Sequence, residues 1–383
     1  MIDTTADAIP PTIEALCQSL PGQIVLVLQG GGALGSYQGG VYQALHEAGI
    51  EPDWVIGTSI GAINAALIVG NPPALRLQKL RDFWKRVEQR PICGWPDLDA
   101  RLSHWSILSH GLPSFFKPNL VAHAGAEVPL GPDRAGYYST EPLEQTLTEL
   151  VDFALINARQ PRLTVGAAEL RTSEMRYFDS RSAALSVKHI LASGALPPAF
   201  PPVRIDGELY WDGGILSNTP TEIVFDDNPR RDSLIFAVNM WNPVGDEPQT
   251  MADVFNRQKD IQYSSRISSQ IARQQQTHRL RHIIRQLASR LSEAERESAA
   301  VRELAGYGCQ TQMHVVRLLA PQLPGESHTK DIDFSASGIR QRWDAGYAHT
   351  REVLQRAPWR GEFDPLSGVI VHEQTIEVPA AAE

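Results

Sequence analysis

Cysteine is scarce in this chain. Its 383 residues include three, Cys17, Cys93 and Cys309. They are too few and too scattered for a disulfide framework or a cysteine-rich zinc site. Long apolar runs are missing as well. Runs such as residues 24–28 and 65–69 fall far short of the roughly 18 residues of a membrane span. The N-terminus, MIDTTADAIP, lacks the basic-then-apolar order of a signal peptide, so a cytoplasmic protein is expected. Basic residues are in deficit. Lys and Arg number 35 against 44 Asp and Glu, a net charge of −9, which argues against a general nucleic-acid-binding surface. No internal repeat is evident. What is present is ordinary for a folded protein: 42% hydrophobic and 21% charged residues. The length suits two or three domains, or one enlarged α/β unit.

Residues 1–22 are polar and proline-containing and read as a loose lead-in. Ile24-Val25-Leu26-Val27-Leu28 is wholly apolar and rich in β-branched residues, the pattern of a parallel strand buried on both faces. It runs into Gly30-Gly31-Gly32-Ala33-Leu34-Gly35. Val41, Ala44, Leu45 and Ala48 then recur at helical spacing, and Gly49 is placed to cap that helix. Trp54-Val55-Ile56 predicts a second strand, entering Gly57-Thr58-Ser59-Ile60-Gly61, and a small-residue helix follows. This is a βαβα unit with a right-handed crossover. Residues 71–140 break the rhythm. They hold many prolines and the aromatics Phe83, Trp84, Trp95, Trp105, Phe115 and Phe116, and read as an insertion or cap. Strands are expected at 163–168, 175–178 and 208–211, and a last apolar strand at 234–238; helices are expected at 141–152 and 186–193. The α/β domain is placed at 23–245. A helical C-terminal extension follows at 246–360, and a low-pattern, mobile tail at 361–383.

Three motifs carry chemistry. Gly57, Ser59 and Gly61 form Gly-x-Ser-x-Gly between a strand and a helix, the setting of a nucleophile elbow. The glycines allow a sharp turn, and the helix N-terminus behind Ser59 favours developing negative charge. The bland alternative is a turn with a capping serine. Gly30, Gly31 and Gly32 leave their N–H groups unobstructed, and such a loop at a helix start binds anions. In acyl transfer it would form an oxyanion hole. The third motif is Asp212-Gly213-Gly214 at a strand end, with Asn218 and Pro220 behind it. A serine hydroxyl needs a base to take its proton. Usually that is a histidine oriented by an acid; the alternative is a carboxylate reaching the serine directly, a place Asp212 can fill. Its bland alternative is a turn aspartate.

Rival chemistries use some of the same residues. The glycines also fit Gly-x-Gly-x-x-Gly, with Asp53 about 20 residues on, the dinucleotide fingerprint. Asp53, however, precedes the second strand instead of ending it, and a dinucleotide site needs no serine elbow. No Lys-Ser or Lys-Thr pair follows the glycines, which excludes a Walker loop. A Ser-His-Asp hydrolase stays open, because His278, His282, His314, His328, His349 and His372 all follow Asp212. Against it, that fold places its elbow after several strands, and Ser59 follows the second. His278 and His282 share a helix face. Zinc needs at least a third ligand and none stands out, so a solvated face is expected. The basic stretch 257–290 suits an anionic lipid surface, but a solvated helix with an apolar stripe for packing or dimerisation is favoured. The aromatics of 83–116 fit an acyl pocket or lid as well as core packing.

As a set, the glycine loop, the elbow one βαβ step later and the distant Asp-Gly-Gly resemble the patatin-like phospholipases. Leu191-Ala192-Ser193-Gly194-Ala195-Leu196-Pro197 resembles a segment that family members carry before the aspartate. The resemblance covers about residues 22–240. It implies a three-layer α/β/α fold with a mainly parallel central sheet. It implies a dyad of Ser59 as nucleophile and Asp212 as general base, with the N–H groups of Gly30, Gly31 and Gly32 as oxyanion hole. The implied reaction is hydrolysis of lipid or other acyl esters through an acyl-serine, with no metal or organic cofactor. Peripheral membrane contact and homo-oligomerisation stay open. Many members carry Arg or Lys where Leu34 stands, so no fixed positive charge is expected at the loop. Asp331-Ile332-Asp333-Phe334 and Arg342-Trp343-Asp344-Ala345-Gly346-Tyr347 resemble the C-terminal extension of a bacterial subgroup, and the resemblance assigns them no chemistry.

Overall fold

The run at 24–28 forms strand β1 (Gln23–Leu28), whose side chains are buried on both faces. Alternation sends Ile24, Leu26 and Leu28 into one apolar cluster and Val25 and Val27 into another. A strand with two buried faces must lie between two layers, and this one does. The computed structural model describes residues 20–89, 107, 109–264, 267–323, 326 and 328–373. Most of the lead-in, Cys17, Cys93, Trp95, Trp105 and residues 374–383 lie outside them.

The other strands are β2 (Trp54–Thr58), β3 (Lys117–Pro118), β4 (Tyr138–Ser139), β5 (Arg162–Glu169), β6 (Met175–Asp179), β7 (Val203–Ile205), β8 (Glu208–Asp212), β9 (Ser233–Asn239), β10 (Met313–Leu319) and β11 (Val369–Glu373). The main sheet runs β11-β10-β9-β1-β2-β5-β8-β7, with β6 also on β5. The strands from β11 to β5 are parallel, and β6, β7 and β8 form an antiparallel margin. β3 and β4 pair apart from it, in the cap.

Helices α1 (Ser36–Glu47), α2 (Ile60–Val69), α3 (Pro73–Arg86), α4 (Glu141–Leu150) and α5 (Val187–Ser193) cover one face. Beyond β9 come α6 (Met251–Ser264), α7 (Ile267–Ser289) and α8 (Ala336–Arg356). α8 joins the first face, and Ile267 and Ile271 of α7 bury against the other. The result is three layers, α/β/α. Tyr37 on α1 bonds His349 on α8 at 2.6 Å, and Trp343 on α8 donates to Gln43 at 2.7 Å.

The C-terminal region is mainly helical, yet it also extends the sheet. The reading of 234–238 as the last apolar strand is therefore corrected: β10 pairs with β9, and β11, inside the low-pattern tail, pairs with β10. The segment after α2 likewise opens with a regular amphipathic helix, α3. Among the described residues no helix is long and apolar enough to cross a membrane.

Candidate active site

β1 and β2 are parallel neighbours, in register from Val25 and Trp54 to Leu28 and Gly57. Both therefore end at the same edge of the sheet. The glycine loop leaves one strand and Ser59 leaves the other. The remaining neighbour of β1 is the much later β9. In open parallel sheets a crevice forms at the carboxyl ends of the strands where the order reverses in this way.

Ser59 sits at φ 55°, ψ −126°, a region that residues with side chains seldom occupy. Its surroundings hold it there. The Ser59 N–H donates to both the carbonyl and the Oγ of Ser193, each at 3.1 Å. Ser193 Oγ in turn donates to the Gly166 carbonyl at 2.6 Å. Gly61 lets α2 start hard against the end of β1, since a Cβ there would lie 2.2 Å from the Leu28 carbonyl oxygen. Gly57 faces Gly61 across the same turn, with no room for a Cβ.

Asp212 ends β8, opposite Ala167 of β5. It is 2% exposed. Its carboxylate accepts from the Gly214 N–H at 2.7 Å and shares the cleft with Ser59. Burial pushes its pKa from the ordinary 3.8 up to about 6, against the opposing pull of the Ser59 hydroxyl and the Gly214 N–H. The group is ionised at neutral pH and more basic than a solvated carboxylate.

The glycine loop divides into two parts. The Gly30 N–H donates to Asn218, at 3.3 Å to the carbonyl and 3.1 Å to Oδ1. Asn218 Nδ2 and Trp241 Nε1 both donate back to the Gly30 carbonyl, at 3.1 and 2.8 Å. Gly30 is thus locked in place. No described group accepts from the N–H of Gly31 or Gly32, and both residues line the cleft. Gly32 lies at φ +56°, and a Cβ there would come within 2.2 Å of the Asp331 carbonyl oxygen.

The cleft encloses about 1070 Å³, part of it open to solvent. Ser59 and Asp212 share it with Ile60 and Ile63 of α2, Phe115, Phe116 and Tyr138 of the cap, and Leu196 and Phe200. Phe116 meets Phe200 at 5.6 Å between ring centres, and Phe115 meets Phe334 at 5.9 Å. Of the cap aromatics, Phe115 and Phe116 line the cleft, whereas Phe83 and Trp84 are core.

No described histidine lines this cleft. His278 and His282 are buried, which corrects the expected solvated face. The nitrogens of His282 bond the carbonyls of Pro365 and Thr311, at 3.1 and 2.9 Å. Burial, aided by Arg281 and Arg230, pushes His278 down to about 4. His314 pairs with His372, and His349 with Tyr37. Asp53 accepts from the Ile24 N–H at 2.8 Å. That is the far end of β1 from the glycine loop, so it cannot serve a ligand held there. Leu34 is buried beside Tyr37 and Met240, away from the cleft lining.

Sequence reasoning passed over Gln29, Trp241, Tyr263 and the cleft-lining role of Asp331, Ile332 and Phe334. Gln29 Nε2 donates to Thr219 Oγ1 at 2.7 Å, and its Oε1 accepts from the Trp241 N–H at 3.2 Å. Trp241 had a usable signal, because it follows directly on β9 and so ends beside β1. Tyr263, Asp331, Ile332 and Phe334 reach the cleft only through tertiary packing.

A family model described as patatin-like phospholipase matches residues 26–225, more than half of the chain. The chain belongs to the patatin-like phospholipase family. A second model, described as patatin phospholipase, matches residues 261–366. Among patatin-like relatives, an uncharacterised NTE family protein of Mycobacterium tuberculosis is 28% identical over 218 residues, 55% of this chain and 30% of that protein. Human patatin-like phospholipase domain-containing protein 6 is 30% identical over 201 residues, 52% of this chain and 12% of that protein. A lysophospholipase of Aspergillus terreus is 58% identical over 53 residues, 14% of this chain and 4% of that protein. The chain thus spans less than a third of each of these relatives. Of solved structures, VipD from Legionella pneumophila aligns with a TM-score of 0.37 at 16% identity, covering 93% of this chain and 72% of that one.

Proposed function

We propose that this patatin-like protein hydrolyses lipid-type acyl esters through an acyl-serine intermediate, with Ser59 as nucleophile and Asp212 as general base. The observation that carries the proposal is the placement of Ser59, on its strained strand-to-helix turn, and the buried Asp212 carboxylate in the lining of one largely apolar cleft. Asp212 takes the hydroxyl proton as Ser59 Oγ attacks the ester carbonyl. The N–H groups of Gly31 and Gly32 receive the oxyanion. Losing one such donor costs on the order of 10²–10³ in rate. Gly30, already bonded to Asn218, anchors the loop and leaves the donation to its neighbours. The tetrahedral intermediate then expels the alcohol, which takes the proton from Asp212. Water, deprotonated by Asp212, attacks the acyl-serine. Ser59 recovers a proton and the carboxylic acid leaves. No step calls on a metal or an organic cofactor. The apolar walls suit an acyl chain, and the names of the relatives favour lipid esters. A histidine base has less support, since no described histidine lines the cleft.

The test is labelling with a fluorophosphonate probe, followed by intact mass and peptide mapping. One adduct on Ser59 is expected. It should be absent from Ser59→Ala and at least ~100-fold slower to form in Asp212→Asn, the scale of general-base assistance. Labelling elsewhere, or near-normal ester turnover by Ser59→Ala, would overturn the mechanism.

A further inference from the structure

We infer that the C-terminal region selects the leaving group by charge. Asp331, paired with Lys259, makes the cleft accept esters with uncharged or zwitterionic leaving groups and reject those with net negative charge. The inference rests on the acyl-hydrolase reading and adds a substrate class to it.

Among the described residues lining the cleft, Asp212 and Asp331 are the only charged ones, and both are acidic. Asp331 belongs to a short turn (Lys330–Ile332) whose backbone abuts Gly32, next to the proposed oxyanion donors. Tyr263 lines the cleft with both carboxylates, and its phenol is pushed up first by burial, then by Asp212 and Asp331. Among the described residues, the two lysines beside this turn are already engaged. Lys259 Nζ bonds both Asp331 oxygens, at 2.7 and 2.9 Å, and the His328 carbonyl at 3.0 Å. Lys330 Nζ is buried on Asp260 at 2.8 Å. The glycine loop itself carries no charge, and its Leu34 is buried away from the cleft.

Among the described residues, a phosphate monoester would therefore meet an ionised Asp212 and no free counter-charge in the cleft lining. In a partly desolvated cleft that repulsion is weakly screened. An uncharged alcohol incurs none of it. The pair also makes the selection reversible. Removing the charge of Asp331 frees the Lys259 ammonium at the cleft, and removing Lys259 leaves Asp331 uncompensated.

The experiment compares kcat/KM of the full chain on three esters bearing one identical acyl chain, in neutral-detergent micelles. They are a monoacylglycerol, a lysophosphatidylcholine and a lysophosphatidic acid. The anionic ester should be at least ~10-fold poorer than the uncharged one. Asp331→Asn should narrow that gap about fivefold by improving the anionic ester, and Lys259→Met should widen it, as expected for one charge acting at short range. Both effects should shrink in about 0.5 M salt. Equal turnover of anionic and uncharged esters by the wild type, or a proportional loss on all three in both variants, overturns the inference. Fluorophosphonate labelling of Ser59 is run alongside. Intact labelling with a flat charge ratio sinks the charge selection alone. Absent labelling of the wild type sinks the hydrolase reading, and the charge selection with it.

Discussion

Burying Asp212 to 2% exposure favours its neutral form, although the proposed mechanism uses the ionised one. The conflict is legible in its pKa of about 6. Below that value the carboxyl holds its proton and cannot take another from Ser59. kcat/KM on an uncharged ester should therefore fall about tenfold per pH unit below 6 and level off above it. A profile with its midpoint near 4 would show that Asp212 is not the desolvated base. Stability should run the other way. Because the folded-state pKa lies above the ordinary 3.8, the cost of the buried charge is absent below pH 4. It grows through pH 4–6 and is complete above. Asp212→Asn removes that charge and keeps an acceptor for the Gly214 N–H. The variant should be inactive yet more stable at pH 8, by at most about 3 kcal/mol, with the gain vanishing towards pH 4. Urea denaturation at the two pH values measures this directly.

At the scale of elements, the turn at 330–332 is held to α6 by the Lys330–Asp260 pair, whose side chains are 6% and 9% exposed. The Lys330 ammonium also lies 5.3 Å from the centre of the Trp241 ring. Removing one partner strands a buried charge, which typically costs about 3–5 kcal/mol, whereas replacing both with apolar groups is often neutral. Lys330→Met alone should destabilise by about that amount and raise KM by disturbing the cleft wall. Lys330→Met combined with Asp260→Leu should recover most of the stability. An additive double variant would mean that the two residues do not act as a pair. Elements differ in how far they could be read ahead. β1, α1, β2 and the elbow announce themselves through unbroken apolar periodicity and glycine punctuation. β10 does not, because His314 and Arg317 interrupt its apolar residues. Those side chains are accommodated by His372, Glu373 and Ser268, more than 40 positions away in sequence. A local pattern cannot show a partner that distant.

For the whole molecule the same point has a consequence. Ser59 and Asp212 were legible because each sits in a tight strand-end turn whose glycines are required locally. Tyr263 and Asp331 were not, because only tertiary packing brings them to the cleft. The region beyond residue 245 is therefore expected to be part of the folding unit. β9 is buried along its whole length and is paired on one side by β10. Without β10 that edge would expose seven residues of unpaired backbone in an apolar strand, a template for aggregation. Phe236 would lose its edge contact with Trp359, 6.0 Å away, and α1 would lose its cover by α8. A chain ending at residue 245 should aggregate on expression, show no cooperative melting and fail to label at Ser59. The full chain should melt in one transition. A truncated chain that melts cooperatively and still labels would instead make the extension a separable domain, and its residues at the cleft an addition to a site complete without them.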